Sequence, residues 1–552
     1  MTTATTLIGR WPLEVDGRDE SGNGHHANVT DAQFVVSGRL GCTEFGQEGA
    51  AVVPAAALAP LADGLFSIAA WVQLPEQLPD IGGTIASSFE PSQRRGFELG
   101  VQHAISTTSQ HNSRNLEFGV DWGSDPVWED CGRPGDSAAV WAFAVYDGRL
   151  YAGTLGTDDR GHVWRSDGTG WTDLGTVGEA NSVTCLAVHD GALYAATTRY
   201  RTGGSALPES SNDSPGGSIW RYTGDEGWQP AGQLDGVDSV GGFATHGGQL
   251  YACALYQRGV FRLVASDHWE HCGDPGRRLL ALGVFQGRLL GAGNDHLDVA
   301  DAIAKTRAGI VIEPDEARGG GGVFAWDPPD RWTSLGMQQQ TTQVYSLGVY
   351  QGRLYASTWP NGLVHRWEDE QRWSSVGRLG EETEVMGLIG YNGSFYGGTL
   401  PHAEIHRFDG PGNWRRIGVL DVTPDVRYRR AAALATYQGR LWCGTLPSGR
   451  VHAMRAGAVA TYDSALSGRW HHVVGRCDRE GVSLFVDGAQ VGTQRGLEHS
   501  GSLASGHDLI LGNGSRARFG GRLRDVRLYR GVLDDAQIAR LAAAQGDSEL
   551  GF

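Results

Sequence analysis

Short runs of alternating apolar and polar residues, separated by glycine-containing turns, occupy most of the chain. In its middle, the pattern Y-x-G-x-L-Y-A recurs as an apolar run, a turn with glycine and a second alternating run. Such a sequence of features predicts a β-hairpin. The seven copies are YDGRLYAGT (146–154), HDGALYAAT (189–197), HGGQLYACA (246–254), FQGRLLGAG (285–293), YQGRLYAST (350–358), YNGSFYGGT (391–399) and YQGRLWCGT (437–445).

A second pattern, W-x-x-x-G, alternates with these hairpins, and a further strand pattern such as HVWRSDG (162–168) lies between the two. Units of four strands that repeat every ~40–65 residues have the size of β-propeller blades. Residues 125–456 are therefore predicted to form a seven-bladed β-propeller. The W-x-x-x-G copies begin at Trp128, Trp171, Trp228, Trp269, Trp332, Trp373 and Trp414.

The order of the two patterns predicts how the ring closes. Trp128 precedes the first hairpin, and no W-x-x-x-G follows the last hairpin at 437–445. We therefore expect the Trp128 strand to complete the last blade, because this pairing removes the open edge of a linear array. The recurring tryptophans are predicted to pack between neighbouring blades.

In strand layout this repeat resembles the kelch and sialidase-type propellers. The glycine doublet that ends a kelch strand is replaced here by A-G-T or A-S-T, and only RSDGTGW (165–171) faintly resembles a sialidase Asp-box. The resemblance implies the propeller fold and lends no active-site residue to this chain.

The two ends of the chain read as strands separated by polar turns. The C-terminal end carries a W-x-H-V strand, an LFVDG hairpin and a G-x-L-x-D-V-R-x-Y strand before a short helix pattern. Together with GRWPL (9–13) and FSIAAWVQL (66–74) near the N-terminus, these motifs resemble a laminin-G-like, concanavalin A-type lectin domain. The C-terminal motifs are SGRWHHVVGRCD (467–478), VSLFVDGAQVG (482–492) and FGGRLRDVRLYRGVLDDAQIARLAAA (519–544).

This resemblance implies a jelly-roll β-sandwich in two halves, residues 1–124 and 457–552, with a short C-terminal helix. The strand at 116–122 is then expected beside the strand at 458–464, and the propeller fills the gap between them. A closed ring can be inserted in this way because its two ends lie close together. The predicted fold class is all-β, a split sandwich interrupted by a propeller.

Composition excludes some partners. The formal net charge is −17, which argues against nucleic acid as a partner. No run of about 18 apolar residues is present, so membrane insertion is not expected.

The N-terminus shows no signal peptide, which predicts a cytoplasmic protein or one exported without a cleaved signal. Seven cysteines without a CxxC pair predict free thiols.

The lectin-like resemblance implies a structural Ca²⁺ site formed by Asp19, Asn23 and Asp525. The turn D-x-S-G-N-G exposes carbonyl and side-chain oxygens, and Ca²⁺ takes six to eight oxygen ligands. The alternative is an Asx-turn with a surface aspartate. No organic cofactor is expected.

One face of the predicted propeller carries long connections between second and third strands, at 199–217 and 294–322. Excess loop length indicates either function or disorder. Aromatic, arginine and carboxylate side chains on these loops suit carbohydrate, because sugar rings stack on aromatic faces. The candidate ligand-binding residues are Tyr200, Tyr256, Arg258, Asp295, His296, Trp359, His402 and Glu404.

Three functions remain open from the sequence. The leading one is non-enzymatic recognition of a carbohydrate by the lectin-like domain, the propeller face or both. The second is a polysaccharide lyase or glycoside hydrolase with its active site on the propeller face. The third is a protein-interaction scaffold or a receptor-binding component of a larger assembly. The loop carboxylates, tyrosines and histidines share no catalytic motif, so the catalytic residues stay unknown and the balance is against an enzyme.

Overall fold

A computed structural model describes residues 5–61, 63–78, 80–202, 206–294, 320–338, 340–496, 503 and 506–549. These residues form 41 β-strands, an α-helix (α1, Asp535–Glu549) and 3₁₀ helices at Ala55–Leu61 and Gly224–Glu226. The all-β fold class is confirmed. No helix in the described part of the chain has the length and apolar character needed to span a membrane.

Strands from both ends of the chain form one 13-stranded sheet, the sandwich. Those from the N-terminal end are β1 (Thr6–Trp11), β2 (Asn28–Ser37), β3 (Leu40–Val53), β4 (Phe66–Gln73), β5 (Gly82–Glu90), β6 (Arg95–Ser106) and β7 (Ser109–Trp122). Those from the C-terminal end are β36 (Ala458–Tyr462), β37 (Trp470–Asp478), β38 (Gly481–Val486), β39 (Ala489–Arg495), β40 (Leu509–Leu511) and β41 (Arg522–Arg530).

The sandwich sheet bends around a single apolar core. Its strand order runs from β36 through β7 at one edge to β38 and β39 at the other. The two edges meet, because the Val459 N–H donates to the Gln494 side chain at 2.5 Å. The sequence predicted strand 116–122 beside strand 458–464, and Ala458 indeed pairs with Val120. Fully buried core side chains include Trp11, Phe66, Phe118 and Phe519.

The other strands form groups of four, called blades 1 to 7 in chain order, and the pairing of Asn294 with Gln343 joins blades 4 and 5 into one eight-stranded sheet. The first strands are β9 (Ser137–Tyr146), β13 (Ser182–His189), β17 (Val240–His246), β21 (Arg278–Phe285), β25 (Gln343–Tyr350), β29 (Glu384–Tyr391) and β33 (Arg430–Tyr437). The second strands are β10 (Arg149–Gly156), β14 (Ala192–Thr198), β18 (Gln249–Ala254), β22 (Arg288–Asn294), β26 (Arg353–Trp359), β30 (Ser394–Leu400) and β34 (Arg440–Leu446).

In each blade the third strand pairs antiparallel with the second, and the fourth pairs antiparallel with the third. The third strands are β11 (Gly161–Ser166), β15 (Ser218–Tyr222), β19 (Val260–Ala265), β23 (Gly322–Asp327), β27 (Leu363–Asp369), β31 (Glu404–Phe408) and β35 (Val451–Arg455). The fourth strands are β12 (Trp171–Thr176), β16 (Trp228–Gln233), β20 (His268–His271), β24 (Arg331–Ser334), β28 (Arg372–Arg378), β32 (Trp414–Val419) and, for blade 7, β8 (Val127–Asp130).

The blades form a closed ring. Each first strand contacts the first strand of the next blade, and β33 contacts β9. In blade 7, β8 pairs with β35, with Trp128 opposite Met454, so the two ends of the repeat meet as the order of its patterns predicts. The chain leaves the sandwich after Trp122 and re-enters it at Ala458. On these pairings we propose the division of the chain at 1–124, 125–456 and 457–552.

The recurring tryptophans join neighbouring blades, which confirms their predicted packing role. Each one lies on the fourth strand of a blade, and six of the seven donate their indole N–H to a backbone carbonyl of the preceding blade. The donor and acceptor residues are Trp128 and Ile417, Trp171 and Cys131, Trp269 and Ala231, Trp332 and Cys272, Trp373 and Leu335, and Trp414 and Val376. All seven cysteines are free thiols, as expected.

One hairpin of the sandwich, residues 95–122, enters the channel of the ring and is called the plug. Its two strands are β6 and β7, and its tip is the turn at Thr107 and Thr108. The Phe243 N–H of blade 3 donates to the Thr108 carbonyl at 2.9 Å. The Thr436 N–H of blade 7 donates to the Asn112 side chain at 3.1 Å. The plug, which belongs to the sandwich, therefore fills the channel of the ring.

Buried charges fix the base of the plug to the rest of the molecule. Arg516, on the sandwich, donates to Glu98 at 2.8 Å and to Glu117 at 2.5 Å. Glu117 also accepts the Asn392 N–H, at 3.2 Å, from the hairpin turn of blade 6. The hairpin turns of the blades therefore face the sandwich, and the opposite end of the ring, where the first strands begin, is the open end.

Candidate functional site at the channel mouth

The first strands of the seven blades align without a gap. In each, the register with the second strand shifts between the second and fourth aligned residues, so the third residue is bulged. The aligned segments are AVWAFAVYDG (139–148), SVTCLAVHDG (182–191), SVGGFATHGG (239–248), RLLALGVFQG (278–287), QVYSLGVYQG (343–352), EVMGLIGYNG (384–393) and RAAALATYQG (430–439).

The bulged residue of every blade lines one cavity at the open end of the channel, here called the mouth cavity. A β-bulge re-aims a side chain out of the regular alternation, and bulges concentrate at the rims of closed sheets. The mouth cavity measures about 160 Å³, and the tip of the plug, Thr107 and Thr108, forms its floor. The seven bulged residues are Trp141, Thr184, Gly241, Leu280, Tyr345, Met386 and Ala432.

The first aligned residue of each strand precedes the bulged residue by two positions, toward the open end of the ring. Blades 1 to 3 have small residues there, whereas blades 4 to 7 have long polar ones. Three of the long side chains, Arg278, Gln343 and Arg430, line the mouth cavity. The small residues of blades 1 to 3 leave one side of the mouth open to loop side chains. The seven first residues are Ala139, Ser182, Ser239, Arg278, Gln343, Glu384 and Arg430.

Two loop tyrosines complete that open side. The ring of Tyr200 lies 4.5 Å from the ring of Trp141, and its hydroxyl accepts a hydrogen bond from Arg430 at 2.8 Å. The hydroxyl of Tyr256 accepts the Arg201 N–H at 3.2 Å, and the Arg201 guanidinium lies 4.6 Å above the Tyr256 ring. The Tyr200 contact ties a loop of blade 2 to the first strand of blade 7.

Burial sets the charge state of the mouth. It raises the pKa of Tyr256 and of Tyr345, so both hydroxyls are protonated near neutral pH. Burial also raises the pKa of Glu384, against the effect of the Arg430 charge. Burial disfavours the charged form of Arg430, but Tyr200 and Glu384 raise its pKa above the ordinary value. The mouth therefore holds a permanent cation beside hydroxyl donors.

The floor of the cavity is held under backbone strain. Thr107 has φ 52°, in the left-handed region that β-branched residues rarely adopt. Its hydroxyl donates to the Met386 carbonyl at 2.9 Å, and its N–H donates to the Ser346 hydroxyl at 3.2 Å. These bonds to blades 5 and 6 offset the strain, of the order of 1–3 kcal/mol, of this conformation.

The structure brings two of the eight predicted ligand-binding residues, Tyr200 and Tyr256, into the mouth cavity. Arg258 is exposed on a neighbouring loop, 3.9 Å from Asp274. Trp359 ends the second strand of blade 5, where it pairs with Gln343, and does not line the cavity. The predicted residues Asp295 and His296 lie outside the described residues.

His402 and Glu404 belong to blade 6 and do not line the mouth cavity either. The imidazole of His402 contacts the carboxylate of Glu382. Glu404 is buried in the outer half of the blade, where His406 and Arg416 bond to its carboxylate at 2.8 and 2.7 Å. Both carboxylates therefore have partners within their own blade.

Sequence reasoning missed the residues that the first strands contribute, including Trp141, Arg278, Tyr345 and Arg430. A signal was present. In the aligned repeats the second position is always apolar and the fourth is always small, whereas the first and third vary in size and charge. Positions that vary inside an otherwise uniform strand indicate side chains that do not pack between blades. The floor at Thr107 had no such signal, because it comes from the other domain.

The predicted calcium residues lie near one another at the β1–β41 edge of the sandwich. The carboxylate of Asp19 accepts bonds from backbone N–H groups and from the Ser21 hydroxyl. Asp525 is held between the guanidinium groups of Arg10 and Arg527, at 2.6–3.1 Å. Two adjacent cations fit a Ca²⁺ ligand poorly. The side chain of Asn23 donates to backbone carbonyls. Calcium binding stays a prediction, with chelation as its test.

The described lining of the mouth cavity combines polar and aromatic groups. Its described lining offers tyrosine and threonine hydroxyls, an amide, two guanidinium groups and an indole. Glycoside hydrolysis needs two carboxyl groups across the scissile bond, and no aspartate or glutamate is among the described lining residues. The carboxyl group of Glu384, which does not line the cavity, interacts with the Tyr345 hydroxyl.

Comparison with protein families finds one match. The family described as the concanavalin A-like lectin/glucanases superfamily matches residues 428–539. The sandwich part of this range supports the lectin-like resemblance. Residues 430–455 of the range pair instead as the first three strands of blade 7. A search of the curated proteins gives no sequence match.

Solved structures similar to this chain are β-propellers. A catalytically inactive virginiamycin B lyase from Staphylococcus aureus, with quinupristin, has a TM-score of 0.44 and 9% identity, covering 60% of this chain and 99% of its own. The WD40 propeller domain of Doa1 has a TM-score of 0.41 and 12% identity, with coverages of 60% and 97%. YCF48 from Cyanidioschyzon merolae has a TM-score of 0.39 and 10% identity, with coverages of 59% and 98%.

Proposed function

We propose that the protein is a non-enzymatic recognition protein that binds a carbohydrate in the mouth cavity. The proposal rests on the residues that line the mouth cavity. Every blade contributes its bulged residue, and the first residues of blades 4 and 7 add Arg278 and Arg430, so aromatic, hydroxyl and guanidinium groups converge on one space. Enclosed sites with a few converging polar groups and aromatic walls are the usual form of small-ligand sites.

The size of the mouth cavity favours one sugar ring at the end of a glycan. Its volume is about 160 Å³, and a cavity of about 150 Å³ holds a six-membered ring such as benzene. Sugar hydroxyls both donate and accept, so they pair with the protonated hydroxyl of Tyr256 and donate to that of Tyr345, whose own proton interacts with Glu384. A donor such as Tyr256 discriminates between ligands, because a ligand that lacks the matching group leaves it unpaired.

In this proposal the sandwich supports the site through the plug. The tip of the plug is bonded to the blades and forms the cavity floor. The sandwich is similar to a lectin and glucanase superfamily over its C-terminal half, so its own surface is the rival location for a glycan. The test must therefore separate the two surfaces.

A glycan array probed with three proteins makes this separation. Ala432→Leu fills the mouth cavity, and Val422→Leu is the control, because Val422 is 78% exposed in a loop at the same open end. We expect the wild type and Val422→Leu to bind the same glycans with similar affinity. Ala432→Leu should bind these glycans more than tenfold more weakly. Thermal unfolding of each variant checks that the fold is intact.

Other outcomes overturn the proposal in different ways. Glycan binding that survives in Ala432→Leu places the site on another surface, with the sandwich as the first to examine. Cleaved product after incubation with a bound glycan makes the protein a lyase or hydrolase. An array without any bound glycan removes the carbohydrate proposal, and the protein-interaction scaffold is then tested by pull-down.

A further inference from the structure

We infer that the sugar taken by the mouth cavity carries a carboxylate, as a uronic acid does, and that Arg430 binds this carboxylate. The inference rests on the proposed function and specifies its ligand. It follows from the charge of the cavity wall, from the partners of Arg430 and from the geometry of guanidinium groups.

The charge of the wall is opposite to that of the chain. The formal net charge of the protein is −17. The charged residues among the described lining of the mouth cavity are Arg278 and Arg430, both positive. They begin the first strands of blades 4 and 7, three blades apart around the ring. A narrow, low-dielectric recess lined by one sign of charge focuses its field and concentrates the opposite ion.

Arg430 makes few hydrogen bonds for a guanidinium group in the wall of a cavity. The hydrogen bond that the described residues give it is the one to Tyr200, at 2.8 Å, and its Nε is buried without a partner. No carboxylate of the described residues lies within ion-pair distance of it. Glu384 interacts with it electrostatically from further away, and burial raises the pKa of Glu384. Arg430 is half-buried, and a cation with so few partners gains from an anionic ligand.

The form of the guanidinium group favours a carboxylate. Its planar fork of N–H donors matches the two oxygens of a carboxylate and makes two parallel bonds. The hydrogen bond to Tyr200 fixes the plane of Arg430, and Tyr200 itself is packed against Trp141. The orientation of the donor is thus set before the ligand arrives, which lowers the entropy cost of binding.

The remaining lining suits the rest of a pyranose ring. The Tyr345 hydroxyl and the Gln343 amide line the cavity from blade 5, which lies between the blades of Arg278 and Arg430. Leu280 and Met386 supply apolar surface for the carbon face of the ring. Acidic and neutral sugars of the same stereochemistry differ only at the carboxylate, so their comparison isolates the role of Arg430.

Isothermal titration calorimetry with matched sugars tests the inference. The ligands are galacturonic and glucuronic acid, their neutral counterparts galactose and glucose, and a sulfated galactose. The variants are Arg430→Gln, Arg430→Lys and the control Arg427→Gln, which removes an exposed arginine from the loop that precedes blade 7. Thermal unfolding identifies any variant that fails to fold. If Arg430→Gln does not fold, Arg430→Lys, which retains the positive charge, provides the comparison with the wild type.

We expect the wild type and Arg427→Gln to bind a uronic acid at least tenfold more tightly than its neutral counterpart. In Arg430→Gln this preference should vanish, and in Arg430→Lys it should fall but persist. Equal binding of acidic and neutral sugars, or an unchanged preference in Arg430→Gln, overturns the inference and leaves the proposed function standing. If the sulfated sugar binds as tightly as a uronic acid, the site recognises negative charge and not a carboxylate, and this result also overturns the inference. If none of the sugars binds, the proposed function itself fails.

Discussion

The backbone carbonyl of Thr108, at the tip of a hairpin of the sandwich, accepts a hydrogen bond from the N–H of Phe243 in the first strand of blade 3, at 2.9 Å. The two residues belong to different domains. This bond and its neighbours place a sandwich turn at the centre of the propeller, directly beneath the mouth cavity. The site proposed for the ligand is thus built by both domains, although most of its wall comes from one.

The first prediction concerns the strained turn beneath the site. Thr107→Ala keeps the left-handed backbone strain but removes the 2.9 Å bond to Met386, so we expect a loss of about 1 kcal/mol of unfolding free energy. Thr107→Gly also loses this bond but relieves the strain, so it should lie close to the wild type. Urea unfolding measures both. Thr30→Ala, in an exposed sandwich strand, is the control, and a Thr107→Ala protein as stable as wild type contradicts the account.

The second prediction separates the bulged position from its neighbour. Ala432 faces the cavity, and the equivalent position in other blades holds residues as large as tryptophan, so Ala432→Leu should change stability by less than about 1 kcal/mol. Ala433 packs between blades 7 and 1, where every equivalent residue is small. Ala433→Leu overfills that space and should cost about 1–3 kcal/mol. Equal melting temperatures for the two variants would show that the bulge assignment is wrong.

The third prediction uses two tryptophans at the same position of the repeat. Trp373 donates its indole N–H to Leu335 at 2.9 Å, so Trp373→Phe should cost about 1 kcal/mol for the hydrogen bond in addition to lost packing. The indole N–H of Trp228 is buried without a partner among the described residues. Trp228→Phe removes this unpaired donor and should cost clearly less. Chemical denaturation of both variants gives the difference, and an equal cost would contradict a role for these bonds.

The fourth prediction is a pH dependence at the joint between the domains. Burial raises the pKa of Asp463 to about 6. Its carboxylate accepts the Gln438 N–H at 3.1 Å, from the hairpin turn of blade 7. A carboxyl group whose pKa is higher in the folded than in the unfolded chain stabilises the fold in its protonated form. That contribution is complete below about pH 4 and is lost as the pH rises through about 6.

Asp463→Asn mimics the protonated carboxyl at every pH. The wild type should therefore lose stability relative to Asp463→Asn between pH 4 and pH 7, by on the order of 2 kcal/mol. Urea unfolding of both proteins across this range measures the change. Asp267→Asn, at an exposed position, should run parallel to the wild type. A constant difference between wild type and Asp463→Asn across the range would rule out the raised pKa.

The sequence alone determined the all-β class, the repeated hairpins and the lectin-like motifs at the two ends. These features are local: a glycine turn such as Gly148 between two alternating runs forms a hairpin whatever surrounds it. The phase of Trp128 against the first hairpin also predicted the pairing of β8 with β35, because only that pairing satisfies both edges. Of the candidate site, sequence reasoning found Tyr200 and Tyr256 by the length and position of their loops.

Only the tertiary structure determines which residues surround these two tyrosines. Arg430 and Tyr200 are 230 residues apart in the chain yet share a hydrogen bond, because closing the ring brings blades 2 and 7 to the same mouth. The bulges bring seven residues of unrelated character to one axis, and a single strand read by itself does not distinguish a bulged position from a regular one; only the alignment of the repeats does. The plug is the extreme case, since the contact of Thr108 with Phe243 depends on how two complete domains dock.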